Sequence, residues 1–182
     1  MFLLKLLGVT TDGSDSAEDK NDDTDTMRRI IAELDELPEG RARYLAAFAY
    51  ILGRVAYADA AISREETHKM QELVQVLGHL PGAQAALVVE IAKSQVRLVG
   101  GTENFLVSRR FREISTTQQR MELLECVFSV SAADESITVV EEGQARQISK
   151  ELGLTHEDFI AARADYHQHL EALKNLRGQT EE

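Results

Sequence analysis

Apolar residues recur along most of this chain at spacings of three and four, the signature of helices that bury one face. The pattern predicts a first helix over 26–37, "TMRRIIAELDEL", stopped by Pro38. A second follows over 41–58, with Leu45, Phe48, Leu52 and Val55 on one face. A third over 63–78 carries Met70, Leu73, Val74 and Leu77 and stops at Gly78, a residue suited to a helix C-terminus. Pro81 opens a fourth, which runs to the Gly100–Gly101 pair, and a shorter helix is expected over 103–113. The second half predicts helices over 116–133, 138–153 and 155–176, the last with Thr155 as its N-cap.

Part of this pattern is repeated. Asp59 matches Asp134, Ile62 matches Ile137, Ser63 matches Thr138 and Glu66 matches Glu141, all at one offset of 75. The same offset pairs Phe48, Leu52 and Val55 with Leu123, Val127 and Val130, and Gly78 with Gly153. The repeating unit is a helix, an acidic corner and a second helix. The expected fold is therefore all-α, two helix–corner–helix repeats about a pseudo-two-fold axis, with additional helices.

Composition agrees with helix. The chain has 182 residues, 43% of them hydrophobic, and only two prolines, which fits one domain with a sizeable core. Its net charge is −11, and residues 11–26, "TDGSDSAEDKNDDTDT", supply −6 of it. A stretch with so little to bury is expected to be a disordered linker. The acidic balance excludes nucleic acid as an expected partner, since that needs a basic face. "SRRFRE" over 108–113 is expected to be a solvated helix face.

The linker separates the body from "MFLLKLLGVT", residues 1–10. This segment is too short to span a bilayer, and it lacks the basic start and small-residue cleavage site of a secretory signal. It can fold back on the body, dock on a partner or touch a membrane surface, and docking onto protein is favoured because one lysine gives weak support for lipid. The expected organisation is an apolar segment over 1–10, a linker over 11–26, a helical domain over 27–176 and a disordered tail over 177–182. A cytoplasmic location is expected, with a peripheral position at the inner membrane as its variant.

Candidate chemistry centres on the corners. Ser63-x-x-Glu66 and Thr138-x-x-Glu141 fit the capping box, in which hydroxyl and carboxylate satisfy each other's backbone N–H groups. Ile62 and Ile137 stand one residue earlier, where a hydrophobic staple belongs. Capping leaves the two aspartates unexplained, because an acid at a helix C-terminus opposes the macrodipole. Each Asp either bonds N–H groups across the corner or helps to hold a hard divalent cation of the calcium or magnesium type. The spacing is not that of an EF-hand, whose third, sixth and twelfth positions would here be Ala61, Arg64 and Met70. Local chemistry favours capping over metal.

Other groupings are weaker. Glu65-x-x-His68 has the spacing of carboxylate di-iron bundles, but its counterparts are Val140 and Gly143. His167 and His169 stand two apart, on different helix faces. Cys126, the single cysteine, reads as a small core residue. There is no Ser-His-Asp arrangement, glycine-rich phosphate loop or cysteine pair, so the chain is not expected to be an enzyme.

The corners "YADAAISREE" and "AADESITVVEE", followed by "ELGLTHEDFIAARADYHQHL", resemble the tellurite-resistance TerB-like family, in its stand-alone branch, over residues 27–175. The resemblance implies an all-helical stress-response module. It further implies inward-facing acids, here Asp59, Glu66, Asp134 and Glu141, that chelate a divalent metal, and protein partners that include membrane-associated complexes. The family glycine after each Asp is replaced by Ala60 and Glu135. The alternative is a metal-free interaction adaptor whose corners only cap helices, with residues 1–10 as its docking element.

Overall fold

A computed structural model describes residues 6–8, 22–55, 64–95, 102–133 and 136–170. The described chain is all-α. Its helices are α1 (Asp22–Asp35), α2 (Glu39–Gly53), α3 (Arg64–Leu77), α4 (Gly82–Gln95), α5 (Thr102–Ile114), α6 (Thr117–Ser131), α7 (Val139–Glu151) and α8 (His156–Ala164), followed by a 3-10 turn at His167–His169.

α2 lies at the centre. Every residue from Tyr44 to Leu52 is buried, so the single apolar face expected from Leu45, Phe48, Leu52 and Val55 understates it. Ala46, Ala47 and Ala49 occupy the remaining sides, and their small volume lets α1, α4, α5 and α6 all pack against this one helix. The approach is closest at its end, where a Cβ on Gly53 would stand 3.3 Å from the Ala92 carbonyl oxygen of α4. Tyr44, Phe48 and Phe111 join α2 to α5, with centroids 5.2–6.2 Å apart. Phe128 of α6 packs on Phe159 of α8 and stacks on Tyr166.

Residues paired by the repeat are buried in both copies: Phe48 with Leu123, Leu52 with Val127 and Val55 with Val130. The register slips by one at the far end. Gly153 takes a positive φ of +69 after α7, with its N–H donating to Lys150 O and Leu154 N–H to Ser149 O. After α3 the left-handed residue is His79, at φ +48, rather than Gly78. Gly78 serves contact instead: a Cβ there would stand 2.6 Å from Val74 O and 3.2 Å from the Phe48 ring.

Three boundaries differ from the sequence pattern. α1 starts at Asp22, inside the stretch read as linker. Asp22 to Asp25 are therefore helical. α2 ends at Gly53 rather than 58, because Arg54 and Val55 turn tightly, donating to Ile51 O and Leu52 O. α8 ends at Ala164 rather than 176, and the chain tightens so that the His169 carbonyl accepts from Ile137 N–H at 2.7 Å. Leu170, fully buried, forms an isolated parallel bridge with Ile137.

Of the apolar N-terminal segment the structure describes residues 6–8, and these fold back on the body, one of the three expected uses. Leu7 is 1% exposed within the core, and the Leu6 carbonyl accepts from Arg43 Nε at 3.1 Å.

Candidate functional site

The second corner is the better described. α6 ends at Ser131, and Ala132 and Ala133 turn with N–H bonds to Phe128 O and Val130 O. Asp134 and Glu135 lie outside the described residues, and the chain resumes at Ser136. Ile137 is 1% exposed and tied to the His169 carbonyl, which fixes the backbone just before the cap. Its staple partner would be Glu142, a charged residue, so the fixing contact is the bridge to Leu170.

Thr138 then caps α7. Its hydroxyl accepts from Glu141 N–H at 3.1 Å, while Glu141 Oε2 accepts from Thr138 N–H at 2.8 Å and stands 2.8 Å from Thr138 Oγ1. The capping box expected at this corner is thus formed, and one Glu141 oxygen is engaged in it. The next residue anchors the helix: Glu142 pairs with Arg163 of α8 at 2.8 Å and with Arg146 at 3.5 Å. The Arg146 guanidinium lies 4.5 Å from the Phe159 ring centroid. Val139 and Val140, on the outer side of the first turn, are exposed.

Of the first corner the structure describes the flanks. Asp59 lies outside the described residues, as do Ile62 and Ser63; Glu66 is placed by its backbone in the first turn of α3, and its side chain lies outside the description. Neither aspartate stands in the last turn of a helix, contrary to expectation. The dipole's effect fades within the last turn, and Asp59 comes six residues after the end of α2, Asp134 three after the end of α6. Among the described residues no group of three or more His, Cys, Asp and Glu side chains is arranged to hold a metal ion. Three of the four corner carboxylates stand outside that description.

A buried ion pair that the sequence reading missed joins the two halves of the chain. Arg54, directly after α2, reaches Glu151 at the end of α7, with Nη1 2.6 Å from Oε2 and side chains 11% and 7% exposed. Ser108 of α5, fully buried, donates to the same oxygen at 2.7 Å, and Gln147 donates to the other at 3.0 Å. Burial pushes the Glu151 carboxyl up, but the bonds from Arg54, Ser108 and Gln147 and the Arg54 charge outweigh it and hold it low. A signal was present: an acid in the last turn of a helix opposes the dipole and needs a cation nearby. Tyr50 extends the polar seam, donating to Asn104 at 3.2 Å.

The remaining candidates have local roles. His68 pairs with Glu72 at 3.4 Å on the surface, and His169 Nε2 stands 3.3 Å from Gln168. Cys126 is fully buried, and burial, with Glu125 and Glu122 nearby, pushes its thiol far above the usual range. Burial, reinforced by Asp165 and Glu122 and partly offset by His79, raises the Glu125 carboxyl.

The family model for tellurite resistance protein TerB matches residues 44–164, from the first buried turn of α2 to the end of α8. The matched range is narrower than the 27–175 suggested by the motifs. It contains both corners and the Arg54–Glu151 pair, and leaves out α1, Leu7 and Leu170. No curated protein and no solved structure matches the chain.

Proposed function

Because the chain belongs to the tellurite resistance protein TerB family, we propose that this tellurite-resistance-related helical module works by binding rather than by catalysis, holding a divalent cation at its acidic corners and acting through protein partners. The ligands in this reading are Asp59, Glu66, Asp134 and Glu141, and the cation is of the calcium or magnesium type. The observation that carries it is the fixed position of Glu141, whose carboxylate is oriented by two contacts to Thr138 on a corner pinned through Ile137. A carboxylate locked in this way costs little further ordering when an ion arrives. Oε1, which takes neither of those contacts, is the oxygen offered to the ion. Partners at a membrane surface belong to the same reading; no helix among the described residues is long and apolar enough to cross a membrane.

A second reading is favoured by the same capping box. If Glu141 and Glu66 only cap α7 and α3, the chain is a metal-free interaction adaptor. Thermal melting of the wild type and of the Asp59→Asn, Asp134→Asn double variant separates the two. Carboxylates brought together repel without a cation, so a bound ion stabilises the fold by mass action. The cation reading expects melting to rise from EDTA to millimolar calcium or magnesium, with most of that rise lost in the double variant. Wild-type melting that stays flat across that range leaves the adaptor reading standing.

A further inference from the structure

We propose that the segment around Leu7 is a detachable latch, and that the socket it fills is a binding site for short leucine-rich peptide segments. Leu7 is 1% exposed and counts among the largest fully buried side chains. Its neighbour Leu6 is half-buried against the core, and the Leu6 backbone carbonyl takes the Arg43 Nε–H at 3.1 Å, beside the first turns of α2. Gly8, at φ +70, ends this short turn in a conformation that favours glycine. The seat thus reads a leucine side chain and a backbone carbonyl, a recognition that any short apolar segment of the same pattern can satisfy.

The attachment is slight in covalent terms. Between the seat and α1 the sequence runs "TTDGSDSAEDKN" over 10–21, with nothing larger than alanine to bury. A sequence of this composition has no large apolar side chain with which to anchor itself. Most of the buried apolar residues belong to α2, α4 and α6, and Leu7 joins that cluster from outside them. Leu7 and Arg43 also precede the TerB-matched range. A tether of this length holds its end at about millimolar effective concentration around its site. That keeps the socket filled at modest intrinsic affinity and still allows a tighter external segment to displace it. The latch is independent of cation binding at the corners.

A fluorescein-labelled peptide, MFLLKLLGVT, tests this by anisotropy against the full chain, wild type and Leu7→Asp. The peptide is expected to bind the Leu7→Asp chain and to bind the wild type about tenfold more weakly, as a tethered competitor at millimolar effective concentration does to a peptide of about 100 µM affinity. A peptide carrying the same Leu7→Asp change should bind neither. Hydrogen exchange on the unaltered wild type supplies an independent readout, with residues 1–10 exchanging at least about a hundredfold faster than the α2 core, as local opening requires. Any of four results overturns the latch. These are protection of 1–10 equal to that of α2, loss of helical circular dichroism in the Leu7→Asp chain, peptide binding that is absent from that chain or equal in both, and a wild-type dimer that exchanges its N-terminal segments.

Discussion

Replacing Arg54 by Met removes the cation from a pair whose two side chains are 11% and 7% exposed. Breaking a buried pair on one side costs about 3–5 kcal/mol, because a charge is left without its partner in a poor solvent. Ser108 and Gln147 still donate to Glu151 at 2.7 and 3.0 Å, which places the loss near the lower limit, about 3 kcal/mol. For a chain of this size that is a fall of about 6–12 °C in melting temperature. Adding Glu151→Leu removes the orphaned charge. Ser108 then lacks its acceptor, a penalty of about 1–3 kcal/mol, offset by apolar contact from Met and Leu. The double variant should therefore be more stable than Arg54→Met alone, with a coupling of about 2 kcal/mol between the sites. Urea unfolding of all four chains by circular dichroism at pH 7 measures this. Acid adds a second check. The Glu151 carboxyl is held below its ordinary 4.5 in the fold, so its contribution is complete above that value and is lost as pH falls through the lowered one. Arg54→Met should lose that part of the wild type's acid sensitivity. An Arg54→Met chain within about 1 kcal/mol of wild type, or additive losses in the double variant, would refute the assignment of a buried, mutually dependent pair.

Two glycines should respond in opposite senses to alanine. Gly78→Ala brings a Cβ to 2.6 Å from Val74 O and 3.2 Å from the Phe48 ring, and overpacking of this kind costs about 1–3 kcal/mol. Gly143→Ala, inside α7 with nothing within 4 Å, should gain about 0.4–1 kcal/mol through helix propensity and a less free unfolded chain; denaturant midpoints measure both. Glu125→Gln should raise the melting temperature at pH 7, since burial, then Asp165 and Glu122, disfavour the ionised carboxylate. A raised carboxyl destabilises above its folded pKa and is neutral below its unfolded one, so the gain should fade as pH falls toward 4.5, and a gain that persists in acid points to another cause.

What the sequence made legible was local. Thr138, Glu141 and Thr155 stand in the capping geometry expected of them, because a cap is decided within four residues. Buried positions repeated at the offset of 75 were legible for a similar reason: periodicity needs only one turn of context. What escaped depends on distant partners. Arg54 and Glu151 are 97 residues apart, and nothing in the amphipathic pattern records which acid meets which base. The end of α8 escaped likewise. Its apolar spacing continues past Ala164, yet Ile137 N–H, standing before the cap of α7, has no intrahelical acceptor and takes the His169 carbonyl instead. A buried N–H left unpaired costs about 1–3 kcal/mol, and leaving the helix brings the His169 carbonyl to satisfy it. The described start of α1 was misread because a run of aspartates in sequence suggests disorder, whereas Asp22 to Asp25 are helical.

These long-range contacts explain how the acidic corners are held. The second corner is fixed on one side by Thr138 and Glu142, which belong to its own helix, and on the other by His169 and Leu170, which come from the end of the described chain. The end of α2, which leads toward the first corner, is fixed by Glu151, the last residue of α7. Each corner's flank therefore rests on an element contributed by the C-terminal half. A local repeat alone would leave each unit self-sufficient, with independent stability and independent corners. The ion pair and the bridge instead tie the flanks of both corners to one cooperative body. On the proposed reading, a cation or partner engaging either corner would act on α7, the helix that both supports share.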